Sequence, residues 1–166
     1  LTGAVPSGIG DLQDLERLRL NKNQFTGPIP SEIGSLNNLT ELPLQYNEFT
    51  EIPPEIGNLT NLTKLEISVN QLTSSIPPEI GNLNNLTELW LQSNQLTGSI
   101  PPEIGSLNNL AELLLDYNQL TLIPLEIGSL SNLTKLDLTS NPLTGTIPSE
   151  IGDLSNLTYL SFSGLQ

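Results

Sequence analysis

Residues 86–107 read LTELWLQSNQLTGSIPPEIGSL, and the rest of the chain is written from this unit. Leu86, Leu89 and Leu91 stand in the spacing L-x-x-L-x-L, followed by Asn94 and Leu96. A Thr-Gly pair comes next, then Ile100-Pro101, Ile104-Gly105 and Leu107, and the frame restarts at Leu110. The same frame opens at Leu15, Leu39, Leu62, Leu86, Leu110, Leu133 and Leu157, in steps of 24, 23, 24, 24, 23 and 24 residues. Self-similarity at such a period is the signature of a stacked coil. The whole chain, 1–166, is one array: a partial front unit at 1–14, six full units over 15–156, and a truncated last unit at 157–166. It reads as a processed product, an excised fragment, or part of something larger.

Each unit carries a strand signal, apolar residues at period two with variable residues between them. Leu18 and Leu20, Leu42 and Leu44, Leu65 and Ile67, and Leu89 and Leu91 are expected to point inward, as are Leu113 and Leu115, Leu136 and Leu138, and Leu160 and Phe162. The Asn that closes each strand (Asn23, Asn47, Asn70, Asn94, Asn118, Asn141) can bond backbone groups of its own and the neighbouring turn. Segments such as PPEIGSL predict a turn of helix with Glu near its start. Ordering costs on the order of 1.5 kcal/mol per residue, and each buried Leu or Ile returns roughly 1.5–3 kcal/mol. Much of that burial exists only between neighbours, so stability comes from stacking.

The pattern LxxLxLxxNxLxGxIPxxIGxLxxL resembles the plant-type leucine-rich repeat over essentially the whole chain. The resemblance implies an α/β solenoid, right-handed and curved, with about seven short parallel strands on its concave side. Its convex side would carry turns or short helices. Plant members include receptor-kinase ectodomains, inhibitors of cell-wall-degrading enzymes and one kind of antifreeze protein. They share non-catalytic recognition through the concave face, at the cell surface or outside the cell rather than in the cytoplasm. Two features depart from the plant pattern. Ser74 stands where Gly27, Gly98 and Gly145 obey it, and the shorter units (FTEIPPEIG, LTLIPLEIG) are similar to the Ras-suppressor or bacterial type.

Composition narrows the chemistry. There is no Cys, His or Met, which removes thiol and imidazole catalysis and zinc sites built on those ligands. No phosphate-cradling loop or isolated carboxylate pair appears, so the chain is read as no enzyme and as needing no cofactor. No apolar run approaches a membrane span. With 18 acidic and 5 basic residues the net charge is −13, which disfavours nucleic acid and anionic membrane surfaces and leaves a basic protein, a cation or a neutral polymer open; a protein or peptide is the expected partner.

Removing the repeated positions leaves the variable ones. On the concave strands these give candidate binding residues Arg17, Arg19, Glu41, Tyr46, Glu66, Val69, Glu88, Trp90, Gln92, Glu112, Leu114, Asp116, Tyr117 and Asp137. Trp90 is the only Trp and lies where the coil requires no apolar side chain. Neighbouring strands lie about 4.8 Å apart, so Arg17–Glu41, Glu41–Lys64, Lys64–Glu88 and Glu112–Lys135 are expected to pair laterally. All five basic residues fall in strand segments, with seven of the 18 acids; the other eleven acids lie elsewhere with no cation among them. That asymmetry marks the concave side as the working face. Pro43 occupies a strand position but cannot donate to a ladder, so a local break is expected there.

Other regular columns have plainer readings. Glu32, Glu55, Glu79, Glu103, Glu126 and Glu150 give one acid per turn, spread along the axis rather than converging on a cation. Asn38, Asn58, Asn61, Asn85, Asn132 and Asn156 head Asn-x-Thr sequons and are candidate N-glycosylation sites, although most come free with the repeat. The regular Thr columns raise ice binding as a less favoured function, and a structural subunit or scaffold in a larger assembly is the other alternative.

Overall fold

The computed structural model describes residues 1–164. Six parallel strands form the concave sheet: Glu41–Pro43, Lys64–Glu66, Glu88–Trp90, Glu112–Leu114, Lys135–Asp137 and Tyr159–Ser161. Leu42, Leu65, Leu89, Leu113, Leu136 and Leu160 stand in register from one strand to the next. Their column, down to Leu136, is fully buried. Leu160 on the last strand is 42% exposed, because no further turn lies over it among the described residues. Each unit buries the same residues against its neighbours, which is how a narrow palette of Leu and Ile makes one continuous core.

The seventh expected strand, at Leu18, is not in the sheet. Leu20 N–H donates to the Pro43 carbonyl at 3.2 Å and Lys22 N–H to the Gln45 carbonyl at 2.8 Å, so the segment lies alongside. Pro43 has no N–H to return, and ladder pairing does not extend forward of Glu41–Pro43. The break predicted at Pro43 is therefore present, on the forward side of its strand.

The helical layer consists of 3-10 turns, seven among the described residues, from Ser7–Asp11 to Ser149–Asp153. A Pro precedes every one, extended in the first six, and the Leu that follows donates its N–H back to the Ile carbonyl, as Leu83 does to Ile80 at 3.2 Å. On the flank, Gln24–Gly27 pairs with Thr2–Gly3 and Glu48–Phe49, and Thr97–Ser99 pairs with Gln119–Leu122. The gap between these two small sheets falls at Ser74. The turn that carries Ser74 enters neither, although single backbone bonds still cross it, from Thr73 N–H to the Thr50 carbonyl at 3.1 Å and from Thr97 N–H to the Ser74 carbonyl at 3.2 Å. The register shift at Gly98/Ser99 marks where a 24-residue turn meets a 23-residue one.

Every closing Asn bridges two turns. Asn94 Nδ2 donates to Leu91 O at 3.1 Å in its own turn and to Ile67 O at 3.0 Å in the preceding one. Its Oδ1 accepts the Leu72 N–H at 3.1 Å. Asn47, Asn70, Asn118 and Asn141 repeat this pattern.

Candidate functional site

The residue before each closing Asn has positive φ: Lys22, Tyr46, Val69, Ser93, Tyr117 and Ser140, between 54° and 61°. None of these is Gly. The left-handed step turns the chain off the strand and aims the Asn inward, and it leaves the preceding side chain standing at the rim of the concave face. Val69 adopts it at a cost of about 1–2 kcal/mol, because its branched Cβ crowds the carbonyl there. Tyr46 (52% exposed), Val69 and Tyr117 (58% exposed) form an apolar rim along this column.

The centre of the face is built around Trp90. The Lys64 ammonium sits 3.5 Å from the centroid of its ring. Lys64 also lies 2.9 Å from Glu88 Oε2 and 3.7 Å from Glu66 Oε2. The Glu88 contact is an ion pair whose angle does not make an aligned hydrogen bond. The indole Nε1–H donates to Glu112 Oε2 at 3.2 Å. Trp90 is thus half-buried, with one face under a cation and its edge tied to the next strand.

This arrangement corrects the expected charge ladder. Of the four lateral pairs only Lys64–Glu88 forms among the described residues. Glu112 is taken by the indole, Lys135 lies over the Tyr159 ring at 5.3 Å, and Arg17 stands on the segment outside the ladder. Leu114, expected as an exposed neighbour of Trp90, is 8% exposed and pairs with it in register. It belongs to the core more than to the surface.

Arg17, Arg19 and Glu41 are exposed at the front of the face; Glu66, Glu88, Gln92, Glu112, Asp116 and Asp137 are half-buried along it. Asp137 binds the Thr139 N–H through Oδ1 and accepts the Tyr159 hydroxyl through Oδ2, both at 3.0 Å. That bond holds the phenol above its ordinary value. Two side chains that the sequence reading left out of the binding set, Lys64 and Gln45, line the face beside Pro43. Pro43 itself, a proline in a strand frame, was the signal that would have found them.

Two carboxyls on the face lie above their ordinary values. Burial is the main cause at Glu66, with Lys64 opposing it and Glu88 reinforcing it. Burial again leads at Asp116, followed by the charge on Asp137. The folded chain therefore holds these protons more tightly than the unfolded one, and stability falls as pH rises from the ordinary values of 4.5 and 3.8 through the raised ones. The urea midpoint is expected to fall as pH rises out of the ordinary carboxylate range, and Glu66→Gln with Asp116→Asn to narrow that fall. A double variant that keeps the parent's full pH dependence would contradict the assignment.

The remaining columns have structural uses. Asn38, Asn61, Asn85, Asn132 and Asn156 each donate Nδ2 to a carbonyl of the preceding turn, at 2.7–3.0 Å. Asn109 does the same without a sequon, so this column is a second ladder. Asn58 ends the 3-10 turn Pro54–Asn58 and is exposed. On the flank, Thr97, Thr121 and Thr144 donate their hydroxyls to carbonyls one turn back, at 3.1–3.3 Å. The convex Glu column meets no other ligand: among the described residues no group of three acids, His or Cys is placed to hold a metal. No helix among them is long and apolar enough to cross a membrane.

Comparison with known proteins agrees with this geometry. A family model described as a leucine-rich repeat region matches residues 2–100, and one described as a leucine rich repeat matches residues 108–164. No curated protein matches. Among solved structures, the ectodomain of the Arabidopsis thaliana membrane receptor kinase GASSHO1/SCHENGEN3, in complex with CASPARIAN STRIP INTEGRITY FACTOR 2, is 42% identical with a TM-score of 0.96, over 99% of this chain and 20% of that one. The plant peptide hormone receptor RGFR1 in complex with RGF2 is 43% identical with a TM-score of 0.91, over 95% of this chain and 26% of its own. A plant ice-binding protein is 36% identical with a TM-score of 0.88, over 99% of this chain and 54% of its own. The chain thus spans from a fifth to about half the length of these relatives.

Proposed function

Since the chain belongs to the leucine-rich repeat family, we propose that it is a non-catalytic recognition module that binds a protein or peptide on its concave face. We place it outside the cell or at the cell surface, where the plant receptors it resembles present their ectodomains. One observation carries the reading. The repeated positions are spent on the core and the ladders, while the concave variable positions collect the half-buried Trp90, the exposed Tyr46 and Tyr117, and all five basic residues. A rigid sheet that presents aromatic groups ringed by mixed charge is suited to a partner with its own apolar anchor.

The test compares variants on the two sides against any partner the parent captures. Trp90→Ala is expected to weaken that partner about thirtyfold, the scale of a central aromatic anchor. Trp90→Phe should recover part of the loss, and convex Glu79→Lys with Glu103→Lys should bind as the parent does. A partner that ignores Trp90 and responds to the convex changes would instead support a scaffold role.

Ice binding is a second reading. It draws on the likeness to the plant ice-binding protein and on the flank Thr column. It ranks lower because those hydroxyls already donate to protein carbonyls. Thermal hysteresis of the purified chain decides it.

A further inference from the structure

We propose that the cleft over Pro43 is a subsite for the guanidinium of an arginine side chain carried by a protein or peptide partner, an inference that rests on the concave-face reading above. Pro43 stands in the column of Arg19, Glu66, Trp90, Leu114 and Asp137. Its short ring between longer neighbours leaves a cleft of about 370 Å³, lined among others by Arg19, Glu41, Pro43, Gln45, Lys64 and Glu66.

The lining is rich in acceptors. The carboxylates of Glu41 and Glu66 face it, and Gln45 Oε1 is enclosed with no donor among the described residues. The cations nearby do not serve them fully. Lys64 is drawn to Glu88 at 2.9 Å and to the Trp90 ring, with Glu66 farther off at 3.7 Å. Arg19 is exposed and forms no ion pair among the described residues. Burial holds the Glu66 carboxyl above its ordinary value even with Lys64 opposing it. A group that only donates, carries a positive charge and is flat completes this set. The guanidinium offers five donors in a fork, is weakly hydrated, and can lie against the Pro43 ring. An ammonium offers a compact, strongly hydrated charge and suits the cleft less.

The probe is the capped tripeptide Ac-Gly-Arg-Gly-NH2, titrated into the whole chain and followed by the Gln45 side-chain amide and the Trp90 indole in NMR spectra. The arginine peptide should shift the Gln45 signals saturably. Its citrulline counterpart, the same shape without charge, should bind about tenfold more weakly, as should the arginine peptide with Glu66→Gln, since a charge-assisted hydrogen bond is lost in each case. Glu66→Gln removes a half-buried charge whose burial outweighs its attraction to Lys64, so its unfolding midpoint should match or exceed the parent's. Arg19→Ala should bind as well as the parent or better.

Absence of any shift, equal response to the citrulline peptide, or weaker binding by Arg19→Ala each overturns the proposal, the last because it assigns the cleft to an anion. Loss of a captured partner on Trp90→Ala, with no tripeptide response, removes the subsite and leaves the concave-face reading standing. A tripeptide response alongside a partner indifferent to Trp90 supports the subsite and removes the wider reading.

Discussion

Asn94→Ala should lower the stability of the chain by about 2–4 kcal/mol, the largest effect expected from any single polar substitution here. The side chain satisfies three buried backbone groups at once: the carbonyls of Leu91 and Ile67 and the N–H of Leu72. Truncation leaves the Leu72 N–H without a partner in a site closed to water, at about 1–3 kcal/mol, while each carbonyl loses one of two donors, Asn118 still serving Leu91 O and Asn70 still serving Ile67 O. Two of the three belong to the preceding turn, so the loss loosens the stack rather than one loop. Asn94→Asp should fail nearly as badly, because a carboxylate cannot donate to the two carbonyls. Asn23→Ala should cost far less: its Nδ2 donates only to the Leu20 and Asn21 carbonyls of its own turn, and among the described residues its Oδ1 accepts no buried amide. Urea unfolding followed by circular dichroism measures the difference, and amide exchange at Leu72 localises it. Equal losses at Asn23 and Asn94 would refute the bridging account.

The second large effect is expected at Gly81. A Cβ there would lie 2.5 Å from the backbone oxygen of Glu103 and 2.8 Å from its Cβ. Gly81 and Glu103 sit on consecutive 3-10 turns, Pro78–Asn82 and Pro102–Ser106, which touch backbone to backbone. No side-chain rotation relieves that clash, so Gly81→Ala should cost about 3 kcal/mol, the upper part of the usual range for overpacking. Gly152 occupies the same place in its own unit but meets nothing within 4 Å. Gly152→Ala should be neutral or stabilise by up to about 1 kcal/mol, by restricting the unfolded chain. Opposite outcomes at one motif position would show that the Ile-Gly glycine answers to the adjacent turn. A matching loss at Gly152 would return the explanation to local backbone conformation.

Much of this protein is legible in its spacing. The period placed the concave columns correctly: Glu41, Lys64, Glu88, Glu112, Lys135 and Tyr159 are partners in register, as the alignment of units required. It placed the inward Leu column and the bridging Asn, because both are repeated at fixed distance from the strand. It also flagged Pro43, since a missing N–H has one consequence in any ladder.

The candidate site was less legible, for reasons that lie between turns. Lys64 had Glu41, Glu66 and Glu88 within strand reach; the Trp90 ring beside it decided which way it leaned. Leu114 sits in a variable column and still became buried. The left-handed residues before each Asn carry no glycine to announce them. The sequence alone determined what repeats, and hence the coil, its core and the frame of the sheet, because periodicity is a local property of the chain. Which variable side chains meet, which are covered, and where a cleft opens were decided only when turns stacked. Those contacts join residues more than twenty positions apart, and their strength depends on burial that no single unit possesses.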